Sequence, residues 1–384
     1  MDLKEAISWL FPSEREGRRA KLQQADHAIE ESSNYRTLTT EEGQQIALLA
    51  LALYDAGEES FAPQRILTHV AAIVPGSLQG LYPQLLARDL FWTEGMLFRE
   101  AEPGLRDQLI ALVEAGTSDP AFHPGYDQHA FLSILAAIGD EVVQATFRKW
   151  RDTPPPGYPH PEEVLPGAGW ELTPEGQRRD LYVVPNVDLV AKEPIQAVVP
   201  SSPEQIGGIL SERCGWCGRA LASFLDLDLT DPRLAALWPE GERLRIPLCL
   251  NCSLQYAAGR ESVFLDVDGQ GLARWSQVNG PPPFPFLDIW EEGDISYVEA
   301  FPVQPSVLGA RRPTPYEGGG SHLGGCPGWP QGPYYPQCPL CKQTMLFLGQ
   351  YDLRSVNHDK LYAFAYLMAF VCIPCGKATT GYIT

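Results

Sequence analysis

Eight of the nine cysteines fall into four Cys-x-x-Cys pairs: Cys214 and Cys217, Cys249 and Cys252, Cys338 and Cys341, Cys372 and Cys375. The pairs form two brackets, with 31 residues between Cys217 and Cys249 and 30 between Cys341 and Cys372. Two cysteines at this spacing make a tight knuckle whose thiolates face one ion, and two knuckles complete a tetrahedral four-sulfur site. The stretches between knuckles are too long for bare loops. Each must fold into strands and turns that carry the second knuckle back beside the first, as in an extended zinc ribbon. The N-terminal "MDLKEAISWLFPSEREGRR" lacks the basic-then-apolar layout of an export signal. The cysteines of a cytoplasmic chain are read as metal ligands rather than as a disulfide framework.

The expectation is two Zn2+ per chain, held by Cys214, Cys217, Cys249 and Cys252 in one site and by Cys338, Cys341, Cys372 and Cys375 in the other. Sets of four thiolates leave no open coordination position, which marks structural rather than catalytic metal. Iron is the rival, because "CPLC" and "CIPCG" look like rubredoxin knuckles and four sulfurs suit either metal. A second pairing, with Cys214 and Cys217 meeting Cys372 and Cys375, is also open at this point. The two brackets resemble each other. Moving the first forward by 124 residues lays Leu221 on Met345, Asp228 on Asp352 and Leu229 on Leu353, and a shift of 123 lays "LRIPLC" on "LMAFVC". That correspondence indicates an internal duplication.

Residues 1–152 have a helical pattern. Thr39-Thr40-Glu41-Glu42 has the form of a capping box ahead of "QQIALLALALYDAG". "PGLRDQLIALVEAG" runs from Pro103 to Gly116 with Leu105, Leu109, Ile110 and Val113 at helical spacing. "DQHAFLSILAAIGDEVVQATFRKWRD" reads as two helices meeting near Gly139 and Asp140. Phe131, Leu132, Leu135 and Ile138 stripe the first, and Val143, Phe147 and Trp150 the second. Paired amphipathic helices point to a HEAT-like repeat domain, with an irregular bundle as the alternative. His27, His69, His123 and His129 are scattered and read as surface or packing residues. "TPPPGYPHPEE", 153–163, reads as a stiff linker. Beyond it, 164–384 carries strand-like runs such as "DLYVVP", "SVFLDVDG" and "LYAFAYLMAFVC" between Gly- and Pro-rich turns. The fold class expected is therefore α+β multidomain: a helical repeat domain, then a β-rich, internally duplicated zinc-ribbon-like domain.

The formal net charge of -19 opposes binding to a phosphate backbone, which depends on Lys and Arg displacing counterions. It favours a basic protein partner met quickly through long-range attraction. The negative charge is spread evenly, -10 up to Trp150 and -9 beyond. No stretch reaches the ~20 uninterrupted apolar residues of a membrane helix. Cys326 and His322, in "GGGSHLGGCPGW", would need an orienting group and an oxyanion site to act as a nucleophilic pair. They are read as part of a glycine-rich loop with a half-buried free thiol, and no residue set is read as catalytic. A nucleic-acid-associated zinc-ribbon protein and a rubredoxin-type electron carrier are the alternatives to a protein-binding role.

"LGGCPGWPQGPYYPQCPLCKQTMLFLGQYDL" followed by "LYAFAYLMAFVCIPCG" resembles the YwqG-like family of bacterial proteins. The same order of features is similar to the eukaryotic programmed-cell-death-protein-two family, implicated in ribosomal protein handling. The resemblance covers roughly 315–380 and marks Leu323, Gly324, Gly325, Pro327, Trp329, Gln350 and Asp352 as its motif. Cys326 stands at the motif's variable position. The resemblance assigns Cys338, Cys341, Cys372 and Cys375 to the metal, and it implies a β-rich protein-binding module. The client expected is basic, either a toxin met by an immunity protein or a ribosomal-protein-like chain met by a chaperone.

Overall fold

The computed structural model describes residues 38–55, 62–88, 95–116, 129–183, 187–191, 204–206, 209–232, 234–238, 241–249, 252, 262–282, 301–305, 321–329, 332–352 and 366–383. Described residues up to Arg179 belong to one compact unit, and those from Asp180 onward to a second. His27 and His123 lie outside the described residues.

The first unit is helical: α1 Thr40–Asp55, α2 Ala62–Ile73, α3 Tyr82–Ala87, α4 Pro103–Ala115, α5 His129–Ile138 and α6 Glu141–Asp152. Thr39 starts α1 with the expected capping box. Its hydroxyl accepts the Glu42 N–H at 3.2 Å, and Glu42 Oε2 accepts the Thr39 N–H at 2.9 Å. Gly116, left-handed at φ 62°, closes α4. Between α5 and α6, Asp140 caps α6 by accepting the Val143 N–H at 2.9 Å, and its other oxygen takes Arg106 Nη1 at 2.6 Å. The apolar stripes meet in one core, where Phe147 lies edge-on to Trp150 and Trp170 with centroids 5.3 and 6.1 Å apart. A repeating two-helix unit is not shown among these helices, which range from 6 residues in α3 to 16 in α1.

The proline-rich segment differs from expectation. Tyr158 and Leu165 join the helical core, and Pro161–Ala168 winds into a 3-10 turn against it. Trp170, in the short strand β1 Trp170–Leu172, donates its indole N–H to Ala136 O at 2.9 Å. β1 pairs with β2 Arg178–Asp180. The segment 153–163 is thus packed rather than a free linker, and the division between units falls at Arg179, not at residue 163. Proline content signals stiffness, but it carries no information about whether Tyr158 and Leu165 beside it find a core to enter.

The second unit is a single continuous ladder of twelve strands: β3 Val187–Ala191, β4 Glu204–Ile206, β5 Ile209–Arg213, β6 Ala220–Asp228, β7 Arg243–Leu248, β8 Val263–Val267, β9 Ala273–Trp275, β10 Phe301–Pro305, β11 His322–Leu323, β12 Leu346–Asp352, β13 Tyr366–Cys372 and β14 Lys377–Ile383. Its path is β7-β6-β4-β10-β3-β11-β12-β13-β14-β8-β9, with β5 continuing the β4 edge of β6. The ladder then returns to its start, since the Arg245 N–H donates to Gly271 O at 2.8 Å and Arg245 bridges Leu272 in parallel. The enclosed core takes Leu227, Leu244, Ile246, Leu265, Leu348 and Leu367.

The pairing scheme is two-fold symmetric. β6 pairs with β7 from Asp228↔Arg243 to Ala222↔Leu248, with a bulge between Ser223 and Leu225. β12 pairs with β13 from Asp352↔Tyr366 to Leu346↔Val371, with a bulge between Phe347 and Gly349. Every pair, and the bulge, corresponds at the offsets of 124 and 123 read from the cysteine brackets. On the other edge, β4 meets β6 through Gln205↔Asp226, and β11 meets β12 through His322↔Gln350. β10 lies on β4 through Phe301↔Ile206, as β3 lies on β11 through Leu323↔Val187. At the centre β10 and β3 pair with each other, Val303↔Ala191, Gln304↔Val190 and Pro305↔Leu189. That register maps onto itself when the two strands are interchanged. Each half of the ladder therefore contains a strand from the other half's stretch of sequence: β3 precedes the first bracket in the chain but pairs beside the second.

β13 is buried along its whole length. Leu367, Ala369 and Val371 face the enclosed core, while Tyr366, Met368, Phe370 and Cys372 face a second cluster with Trp329, Met345 and Phe347. Burial on both faces explains why this strand reads as a continuous apolar run rather than an alternating one. Closure of the ladder depends on Gly271, at φ 76°, where a Cβ would fall 1.7 Å from Arg243 O. Gly271→Ala is expected to lower unfolding free energy in urea by at least about 3 kcal/mol. The control Gly269→Ala, whose Cβ meets nothing within 4 Å, should change it by less than about 1 kcal/mol.

Candidate metal centres

Each bracket closes on itself. Cys214, Cys217, Cys249 and Cys252 form one group and Cys338, Cys341, Cys372 and Cys375 another, the sulfurs of each lying within 4.8 Å of one another. The exchanged pairing is thereby excluded. The Sγ atoms of Cys214 and Cys252 are 3.6 Å apart, those of Cys217 and Cys249 3.5 Å, and those of Cys341 and Cys372 3.7 Å. A tetrahedral ion with Zn–S near ~2.3 Å has sulfur–sulfur edges of about 3.8 Å, so the donor sets fit such an ion. All nine cysteines are free of disulfides. Two four-cysteine groups could thus hold two metal ions per chain.

The backbone builds both leading knuckles in the same way. The Cys214 N–H donates to Arg219 O at 2.8 Å and the Gly218 N–H to Cys214 O at 2.9 Å. In the second bracket the Cys338 N–H donates to Gln343 O at 2.8 Å and the Lys342 N–H to Cys338 O at 3.0 Å. The strand pairs flanking the knuckles correspond too, Arg213↔Ala220 in one and Gln337↔Thr344 in the other. This turn requires a left-handed residue just after the second cysteine. Gly218 supplies it at φ 72°, but the second knuckle uses Lys342 at φ 62°, alone among described non-glycine residues in that region. The closing knuckle Cys372-Ile373-Pro374-Cys375 is a 3-10 turn ended by Gly376 at φ 56°. β7 delivers Cys249 and β13 delivers Cys372, so the hairpins are the expected return paths.

The surroundings differ. Cys214, Cys249 and Cys252 are buried and Cys217 half-buried, whereas Cys338 and Cys372 are buried, Cys375 half-buried and Cys341 exposed. The neighbouring sulfurs hold the Cys217 thiol well below its ordinary range, through hydrogen bonds led by Cys214. The Gln343 N–H holds Cys341 down at about 7, and burial pushes Cys372 up. A coordinated thiolate has its proton affinity depressed relative to the unfolded chain. Its stabilisation is therefore present at neutral pH and lost as pH falls.

The motif residues marked by resemblance pack beside the second bracket. Gly324 and Gly325, left-handed at φ 65° and 68°, donate to Leu348 O at 2.8 Å and Val183 O at 3.2 Å. Buried Gln350 accepts the Gly328 N–H at 2.8 Å, and Trp329 stacks on Phe370 at 6.1 Å with an interplanar angle of 13°. Leu323 lies in the enclosed core, and Asp352 ends β12 opposite Tyr366. Cys326 and His322 are both buried, and His322 Nδ1 lies 2.9 Å from Gly324 O, which commits that nitrogen to donating to the backbone. The sequence carries a further internal repeat ahead of each bracket. Gln205-Ile206-Gly207-Gly208 anticipates His322-Leu323-Gly324-Gly325, and Gln205 and His322 take equivalent pairing positions in β4 and β11.

A Salmonella typhimurium protein, strain LT2, described as uncharacterized protein YpfL, is 31% identical over 365 residues, covering 91% of this chain and 78% of that protein. No family model and no solved structure matches the chain.

Two outcomes follow from the geometry. Acidifying the metal-loaded protein should release both ions, read by metal analysis after gel filtration, and the loss should parallel a fall in thermal stability. Lys342→Gly should raise stability by about 0.5 kcal/mol, the left-handed penalty of ~1–2 kcal/mol being offset by about 1 kcal/mol of glycine chain entropy.

Proposed function

The chain belongs to the family of the Salmonella protein YpfL, and on that premise we propose that it is a non-enzymatic, zinc-stapled protein-binding protein for a basic partner. The observation that carries this reading is the pair of closed four-cysteine groups. Four thiolates fill a tetrahedral ion and leave no position for water or substrate, so the ions act on folding, where a structural zinc contributes on the order of 10 kcal/mol. In this reading the two halves of the ladder are copies from an internal duplication, each zinc-ribbon-like and each joining the ends of one hairpin. The matching registers and bulges support it.

The resemblance to the YwqG-like and programmed-cell-death-protein-two families favours a binding module over an enzyme. The helical unit, read as HEAT-like, would offer side-by-side helices as a second surface. The charge of -19 suits a basic client, either a toxin neutralised by an immunity protein or a ribosomal-protein-like chain escorted by a chaperone. The place of action in this reading is the cytoplasm, where thiolates stay reduced.

Metal analysis of the purified protein should find two zinc ions per chain and no visible absorption, whereas a coloured, iron-containing protein would favour the rubredoxin-type alternative. Mild-lysis capture from the host should recover one basic protein in near-equal amount. Its association rate should fall by about tenfold or more between ~0.05 and ~0.5 M salt, with dissociation little changed. Recovery of nothing specific at low salt, or of nucleic acid that stays bound at ~150 mM salt, would count against a protein client.

A further inference from the structure

We propose that the C-terminal tetrad is a redox-sensitive metal site, from which peroxide expels the ion, while the N-terminal tetrad is a permanent staple. This rests on reading both tetrads as zinc sites. The two leading knuckles share one backbone turn, so their differences lie in what covers them. The tip of the first is Trp216, whose indole N–H donates to Gly280 O at 3.0 Å and whose ring meets Trp275 edge-on at 5.4 Å. Trp275 also presses on Gly215, where a Cβ would fall 2.5 Å from the indole. Together the two tryptophans cover that tetrad. The residue equivalent to Trp216 in the second knuckle is Leu340, which is 55% exposed. Beside it Cys341 is the one exposed cysteine of the eight ligands. Lys342 then holds the left-handed turn that Gly218 holds without strain.

The chemistry needs a peroxide as oxidant. The Cys341 thiolate attacks one peroxide oxygen, the O–O bond breaks and hydroxide leaves, giving a sulfenic acid. The Cys372 thiolate, 3.7 Å away, displaces hydroxide from that sulfur and closes a disulfide. Two thiolates lose two electrons, peroxide is reduced to two hydroxide ions, and the zinc, left with two thiolates, departs. Its loss unclamps Cys338 and the closing knuckle at Cys375, while the new disulfide ties Cys372, the last residue of β13, to the leading knuckle alone. The N-terminal tetrad has no exposed cysteine to start the same sequence, its most accessible member, Cys217, being half-buried beneath the tryptophans.

The test uses the full chain loaded with two zinc ions, treated with hydrogen peroxide beside a chromogenic zinc chelator, with disulfides mapped by alkylation and mass spectrometry. One zinc per chain should be released at least about tenfold faster than the second, as expected when only one of the two sites has an exposed thiolate. The first disulfide should join cysteines between Cys338 and Cys375. Cys341→Ser should abolish the fast phase. Leu340→Trp, which restores the tip present in the first knuckle and removes no ligand, should slow it several-fold with zinc content unchanged. Release of both ions at one rate, a first disulfide among Cys214 to Cys252, or a Leu340→Trp protein as fast as the parent would each overturn the proposal. Zinc content is measured before peroxide is added. Fewer than two ions per chain at that stage would instead overturn the reading of the tetrads as zinc sites.

Discussion

The antiparallel pairing of β3 with β10, centred on Val190 and Gln304, ties the second unit together. Each of these strands sits between the other and a strand from the opposite stretch of sequence, β3 on β11 and β10 on β4. If each had paired within its own stretch, the chain would have two hairpin modules with open strand edges beside their knuckles, and such edges invite aggregation. With the strands crossed over, neither half of the ladder can be completed without the other. The return from β9 to β7 through Arg245 and Gly271 then joins the two strands that would otherwise end the path.

The four-cysteine groups act at the other ends of the same hairpins. A hairpin alone is marginal in water, and β6–β7 and β12–β13 are both bulged. A metal joining the knuckles at the base of each would fix the register that the bulges and the enclosed core require. Polar groups complete the ladder where it would otherwise carry buried charge. Asp226 takes Arg243 at 2.5 Å and Arg245 at 2.9 Å, and buried Lys377 meets Asp266 and Ser276. The position equivalent to Asp226 is Gln350, which bonds a backbone N–H instead. The symmetry of the backbone therefore coexists with different side-chain chemistry in its two halves, as the knuckles also show at Trp216 and Leu340.

The helical unit reaches its order by more local means. Capping at Thr39, Asp140 and Gly116 sets where helices begin and end. Trp150, Phe147 and Trp170 join its last helix to the strand that follows. Those caps and stripes act within a few residues of each other, and for that reason they were visible before any fold was known. The burial of Tyr158 and Leu165 was not, because it depends on a core assembled from helices further back in the chain.

Local spacing is what a sequence states directly. Two thiolates on one turn, an apolar stripe on one helix and an offset of 124 between Asp228 and Asp352 all survive as written, since each follows from geometry over a short span or from one stretch repeating another. The Gln205-Ile206-Gly207-Gly208 echo was equally available. Which strand lies beside which was not, because β3 and β10 have the same kind of pairing edge for either half, and only the closing of a shared core chooses between them. The exposure of Cys341 beside a covered counterpart was decided in the same way. Trp275 belongs to a strand that reaches the first knuckle only when the ladder has closed, and nothing in the spacing of the cysteines says which of the two sites it will cover.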